Sequence, residues 1–475
     1  MVERKLELSG YGNCEEAITE TGFPGRFKRS TTKISMVSWV SAASWASAMS
    51  WISTWFCFLI LALAGSSSLQ AQYNSPVGKG SNDHIPSKEG LDKAYKQSRW
   101  SIGPFRAQPW IGVKNASLVT LQTQQGDELL ETEDFTITVG AGLRGYMRTS
   151  PKLVLAVHAL PEYVWWQDTQ DKRSLNGRYG IGIFGFFNRL KLEISSRRSE
   201  RQDLFSTEVQ QLTSLRREVS RIGAEVEVAR GIQVYARAQF QDIGSKGDDL
   251  ELFDALNRSE DSVLIGAKAK SPRGFELDLG YKETEIDFEN QARPLSSESS
   301  SILLDLGYRS KKLDGTLSFE QLQLDPQGAS ILESIEEQIG NVELTWKPNR
   351  SLEFVIFSRR DLTYSISSSS THLISDRLGL TTRLLGNRSS LELSYSDGQD
   401  DFEGGGSQRI DDVTELRATL RLPIGDMLTV AIHGSSFDYD SNNNAFDREF
   451  SSYGMSLDLG KLAEKLSLGN AESDW

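Results

Sequence analysis

The chain has 475 residues, a net charge of -13, 25% charged residues and 38% hydrophobic ones. Such a modest apolar fraction excludes a bundle of membrane helices, each of which needs about 20 consecutive apolar residues, and the acidic excess argues against a nucleic-acid partner. Four histidines (His84, His158, His372 and His433) are scattered without the spacing of a metal site.

Taken in chain order, the first feature is an export signal. The basic stretch RFKRSTTK precedes residues 34–65, which carry no charge and end in the apolar TWFCFLILALAG. SSSLQAQ follows, with Leu69 and Ala71 at the positions a signal peptidase reads, so cleavage is expected between Ala71 and Gln72. Residues 1–71 are thus an N-terminal extension plus signal peptide, with Met36 an alternative start and an uncleaved membrane anchor the competing reading. Both cysteines, Cys14 and Cys57, lie upstream of that cut. The exported chain then holds no thiol, which excludes a small disulfide-stapled domain. Residues 72–104 are polar, show no sustained period, and read as a periplasmic linker.

From residue 105 to 460 the pattern is period-two alternation, the signature of strands with one apolar and one polar face. GFELDLGY sets Phe275, Leu277, Leu279 and Tyr281 against Glu276, Asp278 and Gly280. RIGAEVEVARGIQVYARAQF sets Ile222, Ala224, Val226 and Val228, then Ile232, Val234, Ala236 and Phe240, against Glu225, Glu227, Gln233 and Arg237. NVELTWKPNRSLEFVIFSRR repeats the arrangement as a hairpin around Pro348-Asn349. Short turns recur at Ser150-Pro151-Lys152, Asn188-Arg189, Arg230-Gly231, Pro272-Arg273, Lys311-Lys312, Pro348-Asn349, Gly386-Asn387 and Pro423-Ile424-Gly425. Longer polar segments alternate with them. The short turns are basic and the long segments mostly acidic, so the two poles differ chemically. Eight turns join sixteen strands, and PFRAQPWIGVKNASL before and FSSYGMSLDLG after bring the total to about eighteen. Residues 461–475 form a short C-terminal tail.

A soluble β-sandwich would need strands of only about 5–6 residues, and a propeller would fit four short strands into each repeat of ~40 residues. Here a unit of that length holds two long strands, which suits a tilted membrane strand. The polar face decides the matter. It carries Arg144, Arg148, Arg221, Glu225, Glu227, Arg237, Lys268, Glu276, Asp278, Asp305, Arg309, Glu343, Glu353, Arg417 and Arg421. A wet lumen solvates these charges and a dry core does not, so the expected fold is all-β, a transmembrane antiparallel β-barrel with its apolar side to lipid. Trp110, Trp165, Trp166, Tyr308, Trp346 and Tyr395, near strand ends, are expected to form an interfacial girdle.

The long repeated hairpins, tight basic turns and strands such as LDLGYRS and LELSYSD resemble the β-barrel porin families of Gram-negative bacteria associated with exopolysaccharide biosynthesis and export clusters. SYGMSLDL, with Tyr453, Met455, Leu457 and Leu459 on one face, resembles the C-terminal strand recognised by the outer-membrane barrel-assembly machinery. The tail GKLAEKLSLGNAESDW that follows it departs from that pattern. The resemblance implies an outer-membrane protein in contact with lipid and lipopolysaccharide, with polysaccharide or small polar solutes as its cargo.

Chemistry-bearing motifs are sparse. His158 and His433 fall on the polar face, but no Gly-x-Ser-x-Gly, His-Glu-x-x-His or phosphate-binding loop accompanies them. Neither enzymatic activity nor a cofactor is expected. The sharpest local match is DYDSNNNAFDRE, where Asp438, Asp440, Asn442 and Glu449 take the first, third, fifth and twelfth positions of a calcium loop. Its sixth position is Asn443 rather than glycine, and strands flank it, so an acidic surface loop is the blander reading. Passive or facilitated passage of polar solutes is the leading expectation. An occluded accessory barrel for polysaccharide export is the second, and a soluble exported β-rich binding protein the third.

Overall fold

The structure is a computed structural model that describes residues 85–98, 100–125, 128–206, 209–246, 254–290, 292–366, 369–386, 388–406, 409–425, 428–443 and 446–459. The expected cleavage site at Ala71 and Gln72, the N-terminal extension and the C-terminal tail lie outside these residues. A short strand, β1 (Trp100–Ile102), pairs with the start of β2 (Phe105–Gln125) through a turn at Gly103, whose φ of 59° suits glycine. From β2 to β19 (Arg448–Leu459) each strand pairs antiparallel with the next, and β19 pairs back onto β2 from Phe450↔Leu121 to Leu459↔Ile111. The fold is therefore all-β, a closed barrel of eighteen antiparallel strands, as the alternation implied.

Closure has a physical cause. Each strand has two hydrogen-bonding edges, and only a closed ladder leaves no row of N–H and C=O groups unpaired. The shortest barrel strand, β19, has 12 residues and the longest, β3 (Glu128–Ser150), has 23. Even the shortest exceeds the ~9–11 residues needed to cross hydrocarbon at a tilt. At the tight end, Gly231, Gly274 and Gly425 adopt φ of 76°, 88° and 68°, a left-handed conformation that lets two strands reverse in a few residues.

Alternation splits the side chains between two environments. On β10 (Phe275–Phe288), Phe275, Leu277, Leu279 and Tyr281 are all exposed on the outside, as are Ile222, Val226 and Val228 on β7 (Val209–Ala229). Across the ladder, Leu279 meets Leu304 on one side and Ala267 on the other, so the apolar stripes join into a belt. A belt of this extent far exceeds the few hundred Å² of contiguous apolar surface that a water-soluble monomer tolerates.

Three expectations change. The turn at residue 349 lies later: Asn349 still pairs with Leu352, a bulge separates it from Trp346, and Arg350-Ser351 make the reversal. Trp110 and Trp166 point inward and are buried, so they belong to no girdle, whereas Trp346 and Tyr395 are exposed on the outside. Trp110 Nε1 donates to Asp458 Oδ1 at 3.3 Å and Trp166 Nε1 to Gln202 Oε1 at 2.6 Å, which accounts for their burial in a polar interior. Finally, part of the supposed linker is ordered. Residues Lys88–Gln97 form a helix, α1, capped by Ser87 Oγ accepting from the Gly90 N–H.

Candidate functional site: the barrel interior

The interior is built by the register. All fifteen charged side chains expected on the polar face, from Arg144 to Arg421, fall on strand positions that alternate against the exposed apolar ones. Most are tied into pairs. Lys191 Nζ lies 2.7 Å from Glu225 Oε2, and Arg221 Nε donates to Gln239 Oε1 at 2.8 Å. Lys268 bridges Glu276 and Asp278, and Tyr235 donates to Asp278 at 2.8 Å. Arg383 reaches both Glu353 and Glu392, each at 2.7 Å. Several of these groups are shielded by neighbouring side chains on the wall rather than standing free in the lumen.

The charges are not evenly mixed. On the inward face of β5 (Ser174–Phe187) to β8 (Ile232–Lys246), Arg178, Arg197, Arg217, Arg221 and Arg237 rise in a column with Lys191 and Arg201 beside them. Only Glu193, Glu225 and Glu227 oppose them on the inward positions whose side chains are described. On β10 to β13 (Ile335–Asn349) the sign reverses, with Asp278, Asp305, Asp314, Glu320 and Glu343 prominent and Lys282 paired to Glu320 at 3.6 Å. A recess of about 380 Å³ at the short-turn end is lined in part by Lys268, Asp278, Asp305, Arg309 and Asp314. The lumen thus has a basic sector and an acidic sector, a field across the pore that composition alone conceals.

Some interior residues were unreadable in advance. Lys114 sits at a bulge where Val113 pairs with Val139 but Asn115 with Thr138, so the alternation of β2 inverts there. Lys114 keeps the inward parity of Trp110, pairs with Glu162 and lies 5.5 Å from the Trp110 ring, while after the bulge Ser117 and Val119 face inward instead. At the long-loop end Asp411 is fully buried between Arg409 and Arg448, and Arg409 lies between the Phe402 and Phe446 rings at 4.2 and 3.9 Å. The two histidines face inward without meeting: His158 packs over Gly180, and His433 Nε2 lies 3.2 Å from Asn115 Oδ1.

The calcium-loop spacing does not become a loop. Asp438 and Asp440 are part of β18 (Leu428–Ser441), Glu449 is part of β19, and Asp438 pairs directly with Glu449 across the ladder. Asn442 Oδ1 accepts from the Ile410 N–H. Among the described residues, no three acidic or histidine ligands converge.

No protein-family model matches this sequence, and no curated protein does. Solved structures are similar to part of the chain. The chain is similar to the Pseudomonas aeruginosa protein OccK2 (OpdF) in complex with glucuronate, at 12% identity over 74% of this chain and 98% of that one, with a TM-score of 0.48. It is similar to a BenF-like porin from Pseudomonas fluorescens Pf-5, at 10% identity over 74% and 98%, with a TM-score of 0.49. It is also similar to Acinetobacter baumannii OccAB3, at 9% identity over 74% and 98%, with a TM-score of 0.46.

Both ends of the interior carry apolar clusters. At the long-loop end, β13 pairs with β14 (Leu352–Tyr364) only up to Gly340↔Arg360, while β14 runs on to Tyr364 paired with β15 (His372–Leu385) alone. Strict alternation from exposed Ile356 would aim Leu362 and Tyr364 outward, yet both are fully buried. They pack with the inward-facing Phe288, Leu322, Leu324 and Ile335, and Tyr364 Oη lies 3.1 Å from Ser297 Oγ. Beyond Arg360 the ladder therefore opens between β13 and β14, and the outer face of β14 packs onto side chains of the inner wall beside the gap. At the short-turn end, α1 lies against the inner wall: Leu91 and Ile85 are buried with Tyr146, Val154, Ala156, Phe184 and Phe186.

Proposed function

We propose that the chain is an outer-membrane, porin-like channel giving passive or facilitated passage to polar solutes. It would be held in outer-membrane lipid and lipopolysaccharide after insertion by the barrel-assembly machinery. The observation that carries this reading is a closed eighteen-strand ladder with a continuous apolar exterior and a charged interior. No residue performs chemistry in it. The segregated charges set the field through which solutes pass, and at this strand number the lumen is wide enough for water.

Planar-bilayer recording tests it. Purified protein is expected to give discrete conductance steps, and membrane-extracted protein to migrate faster in gels before boiling than after. Release into the soluble periplasmic fraction would instead support the exported binding protein and end the channel reading.

A second reading is favoured by one observation, the apolar cluster around Tyr364 and Leu362 at the long-loop mouth. Here the barrel is occluded and serves as a structural accessory in polysaccharide export, the role implied by the sequence resemblance. Tyr364→Ala removes a fully buried ring that stacks edge-on against Phe288 at 4.8 Å, a loss of about 3–5 kcal/mol from that cap. On this second reading a silent wild type becomes conducting in the variant. Equal conductance in the two proteins would end it.

A further inference from the structure

We infer that residues 85–98 are a resident part of the channel, a short helical segment held inside the short-turn mouth that biases passage there toward anions. This rests on the channel reading above. The first support is where the segment docks. Tyr146, Val154, Ala156, Phe184 and Phe186 all alternate against outward residues, so they belong to the inner wall, and all are buried together with Leu91 and Ile85. A wide wet lumen would leave those five side chains exposed. They are buried because α1 covers them.

The second support is that polar contacts fix the segment as well as apolar ones. The Ile85 N–H donates to Glu225 Oε1 at 2.9 Å, which anchors the residues before the helix on β7. Asp92 pairs with Arg148 of β3, and the Arg148 and Arg106 guanidinium groups lie over the Tyr95 ring at 4.8 and 5.1 Å. The anchors therefore come from β2, β3 and β7.

The third support is the sign of what remains exposed. Arg148 neutralises Asp92, while Lys88, Lys93 and Lys96 are exposed with Glu89 alone among them. This face stands at the foot of the arginine column, so the basic sector extends into the mouth. Size sets what such a helix can do. Eighteen strands about 4.8 Å apart and tilted about 40° make a wall roughly 36 Å across. A helix about 10–12 Å wide narrows such a lumen but cannot seal it. Its effect is expected on selectivity more than on conductance.

The test is reversal-potential measurement on the full chain under a KCl gradient, for wild type, Lys93→Gln/Lys96→Gln and Lys93→Glu/Lys96→Glu. Both positions are exposed, and faster migration before boiling checks that each variant assembles. The chloride-to-potassium permeability ratio is expected to fall about twofold in the Gln pair and further in the Glu pair, with conductance changed less, as charges within a Debye length of a passing ion require. Conductance steps with the same ratio in all three proteins would overturn the role of the helix and leave the channel standing. Absence of steps in every protein would overturn both.

Discussion

Replacing Ile302 with arginine is expected to remove about 2–4 kcal/mol of barrel stability and deplete the fast-migrating assembled form, although this side chain is 60% exposed. The size follows from which solvent meets it. Ile302 lies mid-way along β11 (Ser297–Arg309), between Tyr281 and Gln321, on the outward face. In water, substitution of an exposed isoleucine usually changes stability by about 0.5 kcal/mol or less. In hydrocarbon a guanidinium loses its hydration or drags water with it. Urea titration of detergent- or lipid-reconstituted barrel separates the two cases, and a change below about 1 kcal/mol would place this face in water. The experiment bears on the exterior alone and is indifferent to what the lumen carries.

Asp411→Ala is expected to cost about 3–5 kcal/mol. Asp411 is fully buried and serves two cations: Arg409, also bound through its Nε at 2.8 Å, and Arg448 at 3.2 Å. Each guanidinium also lies against rings, Arg448 4.2 Å from Tyr439 and Arg409 between Phe402 and Phe446. Taking away the carboxylate removes the counter-charge that both cations share where water scarcely reaches, so the penalty comes from them more than from the lost pair. Urea titration reads the loss in stability, and faster proteolysis of the adjoining long loops is its local signature. A cost under about 1 kcal/mol would mean that the two arginines find solvent without it.

The barrel was legible because its evidence repeats. Phe275, Leu277, Leu279 and Tyr281 announce one strand, and the same parity in strand after strand fixes which face meets lipid and which residues look inward. Parity fails where the backbone departs from the ladder. The bulge at Lys114 inverts β2, and with it the direction in which a reader would aim the side chains on either side. Leu362 and Tyr364 follow the alternation of Ile356, but β14 parts from β13 there, a tertiary event without a local signature. Trp110 and Trp166 mislead for another reason: a tryptophan with a polar partner satisfies an interior as well as a membrane interface. The helix at Lys88–Gln97 was hidden because only a few apolar residues, Leu91, Ala94 and Tyr95 among them, carry its packing face. A segment of ten residues in isolation falls below the length at which helices persist in water. Its order comes from the wall on which it docks. The sign of the lumen was likewise invisible, since the arginine column and the carboxylate wall average out in a count of charges.

The seam between β19 and β2 has one more consequence, which concerns how such a chain can change over time. Antiparallel closure requires neighbours to run in opposite directions all the way round, and β2 and β19 meet that condition. Loss of one strand would bring two parallel edges together, which would have to re-form the seam in the different and slightly weaker parallel bonding pattern. Loss or duplication of a whole hairpin, two strands with the short turn between them, would leave it sound. While the seam stays antiparallel, the bore of this barrel changes in steps of two strands, and the hairpin is its heritable unit of diameter.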